Sequence, residues 1–557
     1  MAAIGLTADA QLQLNGDGSI LRCAALGKNF STTILNRIPI TMFEKYLLIF
    51  PSILLLAQAL HAAAPKRPNI VFIMSDDHAS KAISAYGSDL IQTPHLDRLA
   101  SEGMLFNNAF CTNSICGPSR AVILTGKYSH LNGFLVNETT RFDGTQTTFP
   151  KLFQKAGYET AVIGKWHLGT EPTGFDYWDV LPGQGEYYDP EFINMGEVIE
   201  NEGYATEIIA EKSVEWLRNR ESEKPFVLLS QHKAPHSDFN PSPKYRRHFD
   251  NHTFPEPENL FDDYEGRSEG ASVSDMRIDP HLILQYQWDE KLHIPEHLAG
   301  KERTRWLYQW YMRRYLACVL SVDDAVGSIL DALDELGLAE NTIVVYTSDQ
   351  GFFLGEHGWY DKRYMYEESL RMPFIVRYPP SIEPGSIEDR IVLNLDFAQT
   401  FLDYAGIPAP EDMQGRSLRP VLDGDPVALW RRSMYYHFYE YPGWHYVKRH
   451  YGVRTDRFKL IRYYHDIEAW EMYDLETDPS EMANLANNPA YANVRAELEG
   501  ELARLQAHYG DSPELAQEMV ERYPHGSYPE WGRYSDLEPH GDLDGWRAAQ
   551  QRSSPNE

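Results

Sequence analysis

Four short runs along the chain are hydrophobic without alternation and then stop abruptly at polar residues. The first, Asn69-Ile70-Val71-Phe72-Ile73-Met74, ends in Ser75-Asp76-Asp77-His78, and the second, Thr160-Ala161-Val162-Ile163, ends in Gly164-Lys165-Trp166-His167. The third, Phe226-Val227-Leu228-Leu229, ends in Ser230-Gln231-His232-Lys233-Ala234-Pro235-His236, and the fourth, Thr342-Ile343-Val344-Val345-Tyr346, ends in Thr347-Ser348-Asp349-Gln350. A strand with one wet face alternates, whereas a continuous run is covered on both faces, as in a parallel α/β sheet. Ligands of such sheets sit beyond the carboxyl ends of the strands, so the four polar endings predict one shared site.

Helical spacing fills the intervals. Thr93 ahead of Pro94 predicts a capped helix through Leu96 and Leu99 that stops at Gly103. From Trp306 to Leu336 apolar residues recur at Leu316, Val319, Leu320, Val322, Val326, Ile329, Leu330 and Leu333, a long or broken helix. Near Trp430 the texture changes. Residues 435–439, 451–454 and 458–461 read as short antiparallel strands, and 491–507 as a helix. The Pro- and Gly-rich tail after about 525 is expected to drape or fray. The predicted class is α/β: a large domain over 65–429 with a mostly parallel central sheet flanked by helices, then a smaller part over 430–557 with an antiparallel sheet.

Composition adds exclusions. The chain has 557 residues, too many for one ordinary core. Its formal net charge of −30 lacks the basic footprint of a nucleic-acid binder. An acidic body that handles an anionic substrate must gather its cations locally. Residues 1–41 show no periodicity and are expected to be a non-native or unstructured upstream segment. Met42-Phe43-Glu44-Lys45, the apolar run from Tyr46 to Leu60 and Ala62-Ala63-Ala64 have the layout of a secretory signal peptide over 42–64. That predicts translation from Met42, a mature start near Pro65, no stable membrane span after cleavage, and a secreted or periplasmic location. Cys111, Cys116 and Cys318 remain downstream, too few for a disulfide framework. Cys111 and Cys318 either pair or stay as buried thiols; oligomeric state is open.

The chemistry-bearing residues follow. In Ser114-Ile115-Cys116-Gly117-Pro118-Ser119-Arg120-Ala121-Val122-Ile123-Leu124-Thr125-Gly126, Pro118 suits a first helical turn, placing Cys116 at a helix N-terminus. That position is expected to lower the thiol's pKa and offer amides to an anion, with Arg120 one turn on. Asp76, Asp77, Asp349 and Gln350 gather hard oxygen ligands without a Cys/His cluster, which favours Ca²⁺ or Mg²⁺ over zinc.

The thirteen-residue run around Cys116 resembles the signature of the type I sulfatases, of the alkaline-phosphatase-like superfamily, in which this cysteine is oxidised to formylglycine. Gly157-Tyr158-Glu159-Thr160-Ala161-Val162-Ile163-Gly164-Lys165-Trp166-His167 resembles a second signature of the same family. The resemblance implies an alkaline-phosphatase-like fold, a formylglycine-generating maturation enzyme as partner, and one Ca²⁺ on Asp76, Asp77, Asp349, Gln350 and the modified Cys116. Gln350 departs from the usual Asn or His. It further implies anion-binding and proton-transfer roles for Arg120, Lys165, His167, His236 and Lys362. In the implied mechanism, one hydroxyl of the aldehyde hydrate attacks sulfur, His236, alone or with Lys362, protonates the leaving sugar oxygen, and His167 removes the second hydroxyl's proton.

Asp349 to Trp359 and the lysine loop Asp361-Lys362-Arg363-Tyr364 look most similar to carbohydrate sulfatases of the glucosamine-6-sulfatase and polysaccharide-utilisation type. A sulfated carbohydrate is the expected substrate. Trp444 to Arg462 is the densest basic and aromatic stretch, and His357, His437, His445, Arg449 and His450 are the candidate substrate contacts. Two other readings compete. A phosphonate monoester or phosphodiester hydrolase of the same superfamily would favour phosphate over sulfate esters, and a silent glycan-binding protein would bind without releasing sulfate.

Overall fold

The computed structural model describes residues 67–137, 140–220, 223–286 and 292–522, with a separate antiparallel pair, Leu12–Leu14 and Ile20–Cys23. The expected leader over 42–64 and the tail beyond 522 lie outside the described residues. Ten strands form one sheet: β1 (Asn69–Asp76), β2 (Met104–Phe106), β3 (Glu159–Lys165), β4 (Tyr177–Leu181), β5 (Glu191–Asn194), β6 (Glu197–Glu200), β7 (Phe226–Pro235), β8 (Thr342–Ser348), β9 (Phe374–Arg377) and β10 (Ser386–Glu388). Their spatial order is β10-β2-β9-β8-β1-β7-β3-β4-β5-β6. The central strands β8, β1, β7, β3 and β4 are parallel; β9 on one side and β5 and β6 on the other run antiparallel to their neighbours. The four non-alternating runs are therefore four adjacent parallel strands, with Val345, Phe72, Leu229 and Val162 side by side.

The pleat explains the missing alternation. Ile70, Phe72 and Met74 of β1 enter one core with Phe149, Phe397 and Phe401. Val71 and Ile73 enter the opposite core with Val322, Val326, Ile329 and Leu330. Helices on each face thus bury every residue of β1. Cys111 belongs to the first core and Cys318 to the second, so the sheet separates them and all three thiols from Cys111 onward are free and buried.

Helix α1 (Pro94–Ser101) begins as predicted, but Thr93 does not cap it. The Thr93 hydroxyl accepts from Ser84 N at 3.0 Å, and the loose amides of His95 and Leu96 go to the Asp323 carboxylate at 3.1 and 2.8 Å. Gly103 is needed for close approach rather than for a helix stop, because a Cβ there would collide with the Val376 carbonyl. The helical stretch expected from Trp306 is one unbroken 36-residue helix that starts earlier, at Gly300 (α4, Gly300–Glu335, following α2, Cys116–Thr125, and α3, Ala205–Asn219). Among the described residues, no helix is long and apolar enough to cross a membrane.

The second sheet is antiparallel, in the order β11 (Ser433–Phe438), β12 (His450–Thr455), β13 (Phe458–Tyr463), β14 (Ala469–Asp474). Its fourth strand was not apparent from the pattern. Leu498, Leu502 and Leu505 of α5 (Ala492–Tyr509) cover it. The same hydrophobic cluster takes in Ile115 and Val122 beside Cys116 and Tyr364 and Tyr366 of the lysine loop. The small sheet is thus the backing on which two parts of the site rest.

Candidate active site

The carboxyl ends of β1, β3, β7 and β8 deliver Asp76, Lys165, His236 and Asp349 to one place. Helix α2 opens there at Cys116, with Ile115 extended ahead of it and Pro118 in the first turn. Asn137 Oδ1 accepts the Gly117 amide at 3.0 Å, meeting one of the helix's loose donors. Ligand atoms of Asp76, Cys116 and His236 lie within 4.8 Å of one another, as do those of Asp76, Asp77 and Asp349.

Cations ring these carboxylates. Lys165 Nζ donates to Asp76 Oδ2 and, at 2.5 Å, to Gln184 Oε1. Arg120 Nε donates to Asp349 Oδ2 at 2.9 Å, while its Nη1 holds the Lys165 carbonyl at 2.6 Å and Gln231 Oε1 at 3.1 Å. Lys362 Nζ donates to Asp77 Oδ2 at 2.7 Å. The Gln350 amide donates to Asp77 Oδ1. His236 Nδ1 faces the Ser237 carbonyl at 2.6 Å and so carries the proton, leaving Nε2 3.7 Å from Asp77 Oδ2.

The electrostatics are unbalanced at the centre. Burial opposes charge on all three carboxylates; at Asp76, Lys165, His236 and Arg120 overcome it and hold the group well below the usual range. Asp77 is pushed up to about 6 by burial, and Asp349 up to about 8 by burial and the neighbouring Asp76. Asp76 Oδ1 and Gln350 Oε1 are buried without hydrogen-bond partners among the described residues. Three converging carboxylates, with Asp76 Oδ1 and Gln350 Oε1 left as orphaned acceptors, fit a hard divalent cation. Gln350, the departure from the expected pattern, reaches the cluster through its amide nitrogen on Asp77.

The Cys116 thiol corrects an expectation. It is pushed up to about 12 by burial, against the lowering expected for a cysteine at a helix N-terminus. Burial and Lys165 hold the His167 ring well below its ordinary value; Arg120 and Lys362 are within electrostatic reach, and its Nδ1 has no partner among the described residues. Lys362 keeps its charge despite burial because Asp361 and Asp77 raise it.

Several expected substrate contacts are structural. His437 spends both ring nitrogens, on Asp511 at 2.8 Å and Tyr464 at 2.7 Å. His450 does the same with the Lys448 carbonyl at 2.7 Å and the Met365 amide at 3.1 Å. His357 is sealed among Phe353, Trp359 and Tyr366, with Nδ1 2.9 Å from Asp262. Arg449 is sewn into the carbonyls of Tyr439 and Tyr441. Arg454, Arg457, Lys459 and Arg462 each face an acidic partner, so the 444–462 stretch is not the cationic surface its composition suggested. His445 also spends both ring nitrogens, Nδ1 2.9 Å from the Asp275 carbonyl and Nε2 3.2 Å from Asp361 Oδ2, but the second contact lies one residue from Lys362.

Three residues were missed. Asp361 bonds the Lys362 amide at 2.7 Å and the Arg363 guanidinium. Glu440 accepts the Asn137 amide at 3.0 Å, joining the cap of α2 to the end of the small sheet. Lys233 is buried close enough to Lys165 for the two charges to oppose each other. Asp361 and Lys233 lie inside the quoted runs but were given no role there; Glu440 carried no signal.

Comparison with known proteins now decides the family. The sulfatase family profile matches residues 68–407. The chain belongs to the sulfatase family. Sulfatases are sulfuric ester hydrolases, and the chain is an enzyme of that class. The profile described as N-sulphoglucosamine sulphohydrolase, C-terminal, matches residues 355–508. The chain is 50% identical over 497 residues to the N-acetylglucosamine-6-O-sulfatase of Bacteroides thetaiotaomicron, covering 82% of this chain and 89% of that sulfatase. It superposes with a TM-score of 0.79 and 49% identity on a protein solved with its substrate D-glucosamine-2-N,6-O-disulfate, over 81% of this chain and 99% of that one. The phosphonate monoester hydrolase of Agrobacterium radiobacter shares the fold, with a TM-score of 0.63 at 21% identity over 80% of this chain and 96% of that one. That likeness speaks to fold alone.

Proposed function

We propose that this sulfatase removes the 6-O-sulfate of a sulfated glucosamine residue, with Cys116 matured to formylglycine and one Ca²⁺ held by Asp76, Asp77, Asp349, Gln350 and the modified residue 116. The observation that carries the reading is the convergence of three buried carboxylates on Cys116 inside a ring of Lys165, Arg120 and Lys362. The glucosamine part rests on the printed substrates of the two similar proteins.

Formylglycine at position 116, if formed at the start of α2 beside Asp76, would supply a hydrated aldehyde, one hydroxyl as the nucleophile toward sulfur and a second as a proton donor to a nearby base. Calcium, when bound, offsets negative charge on the sulfate oxygens. This chain's own groups do the rest. Lys165 and Lys362, already beside the carboxylates, turn their remaining protons to the ester oxygens, and Arg120 fixes Asp349. His236 works through Nε2, because Nδ1 is pinned by the Ser237 carbonyl. Burial and Lys165 keep that ring neutral in the free enzyme. An arriving sulfate ester brings negative charge beside it and raises its proton affinity, loading it as the acid for the sugar oxygen. His167, neutral with an unpartnered Nδ1, takes the proton of the second hydroxyl.

The leader pattern over 42–64 supports export to the periplasm or beyond, and N-terminal sequencing of the mature protein tests it. The activity is tested with protein co-produced with a formylglycine-generating enzyme and assayed for sulfate release. Glucosamine 6-sulfates, their 2-O- and 3-O-sulfated isomers and a phosphonate monoester are compared, with mass spectrometry of the Cys116 peptide. Preference for the 6-sulfate by at least about a hundredfold in kcat/KM is expected; equal or better turnover of the phosphonate ester refutes it.

A further inference from the structure

Helix α4 shows two different faces. Inward, the Tyr315 hydroxyl donates to the Asp77 carbonyl at 2.7 Å, bracing the carboxylate cluster. Outward, Arg305, Trp306, Gln309, Trp310, Arg313 and Arg314 recur at spacings of four and one, so they form a two-row stripe about 12 Å long on one side of the helix. This stripe and Arg246 border a groove of 580 Å³ that is distinct from the catalytic site. Both tryptophans are half-buried, each showing part of a ring to solvent.

The charge of the groove runs against that of the molecule, which carries 81 acidic and 51 basic side chains. Arg313 donates only its Nε, to the His252 carbonyl at 2.8 Å, and neither it nor exposed Arg246 has an acidic partner among the described residues. The acid bordering the groove, Asp250, is already offset by Arg247 at 3.0 Å, and Arg305 is paired with Glu256 at 3.1 Å, so Arg246 and Arg313 are cations the groove leaves without an acidic partner among the described residues. Arg314 stacks over Trp310 at 4.7 Å and donates its Nε to the Phe239 carbonyl at 3.0 Å. Phe239 lies three residues beyond His236, so the groove is joined to the loop that carries the candidate acid.

We propose that this arginine–tryptophan groove is a second binding site for the sulfated saccharide, engaging sulfated sugar residues beyond the one that is desulfated. The proposal rests on the carbohydrate-sulfatase reading. The chemistry selects the occupant. Guanidinium forks take sulfate oxygens in pairs, and a half-buried indole such as Trp306 offers an apolar surface to a sugar ring, while Trp310 backs Arg314. An acidic peptide would use the arginines but not the indoles. A substrate held at both places binds more tightly than a single sugar, because the second contact is intramolecular.

The test uses the full chain and an N- and 6-O-sulfated glucosamine-containing hexasaccharide, its desulfated counterpart, polyglutamate, and the 6-sulfated monosaccharide. In the double variant Arg246→Ala/Arg313→Ala, hexasaccharide Kd and KM should rise about tenfold, with monosaccharide kcat/KM unchanged. Lysine at both positions should restore part of the affinity, and Trp306→Ala alone should weaken the sulfated hexasaccharide without affecting polyglutamate. Unchanged hexasaccharide binding in the double variant overturns the proposal, as does polyglutamate binding as tightly as the saccharide. Groove-dependent binding without any sulfate release would sink the activity reading and leave the groove standing.

Discussion

The strand-end cluster of Asp76, Asp77 and Asp349 and the knot of Glu367, Glu481, Lys459 and Arg454 are both buried and both built of opposite charges. Their arrangements are inverted. In the knot a cation stands in the middle: Lys459 Nζ is 3.0 Å from Glu367 and 2.7 Å from Glu481, with Arg454 3.1 Å from Glu367. In the strand-end cluster the carboxylates occupy the middle and Lys165, Lys362 and Arg120 stand around them. The first arrangement joins a small-sheet strand to two segments outside that sheet and is structural, although burial and Glu367 still push Glu481 up to about 8. The second calls for one more positive charge at its centre, and that is where chemistry is expected.

Cys116→Ala should break the comparison most severely. Turnover falls by about 10⁵-fold or more while circular dichroism and the melting transition stay native, since the thiol makes no structural bond. His236→Ala should lower kcat about 10²–10⁴-fold, whereas His437→Ala should cost stability and leave kcat of the folded fraction within about threefold. Lys459→Met removes the knot's centre and should destabilise the fold by about 3–5 kcal/mol in denaturant titrations, because two carboxylates are left buried together.

Chelation sharpens the contrast through pH. Asp77 at about 6, Asp349 at about 8 and Glu481 at about 8 are all raised above their model-peptide values of 3.8, 3.8 and 4.5. A raised carboxyl contributes its stability below the unfolded value and loses it as pH climbs through the folded one. Metal-free protein should therefore lose stability steadily between about pH 4 and 8. Added calcium should restore the part belonging to Asp77 and Asp349 and leave the Glu481 part untouched. Thermal melts with and without calcium across that range measure it; a calcium effect that does not grow with pH would contradict the inverted-cluster account. The smallest effect is expected for Arg449→Lys, which should change monosaccharide kcat/KM less than about threefold because its guanidinium holds main-chain carbonyls.

The sheet and the convergence of its strand ends were legible because burial on both faces erases alternation in Asn69–Met74 and its three counterparts. The nucleophile helix, the carboxylates, Gln350, Lys165 and Lys362 were legible because they lie within or next to contiguous motifs. The 444–462 stretch misled because composition counts charges but not partners. Arg454, Arg457 and Lys459 meet Glu367, Asp474 and Glu481 through sheet pairing and loop packing that no local pattern encodes. Glu440 was invisible for the same reason, since it matters through Asn137, far along the chain; Asp361 stood in the quoted lysine loop but was given no role. Thr93 was misassigned because residue type alone does not say whether a hydroxyl will turn toward its own helix or toward Ser84.

The burial of Cys116 also sets a schedule. With 1% of its surface accessible and its thiol beneath Asp76, Lys165 and Lys362, the folded chain offers that side chain to nothing as large as another protein. If residue 116 is matured to formylglycine as proposed, the modifying enzyme has to arrive while α2 is still unpacked from the small sheet. On that proposal maturation is a race against folding, won or lost once in each chain's lifetime.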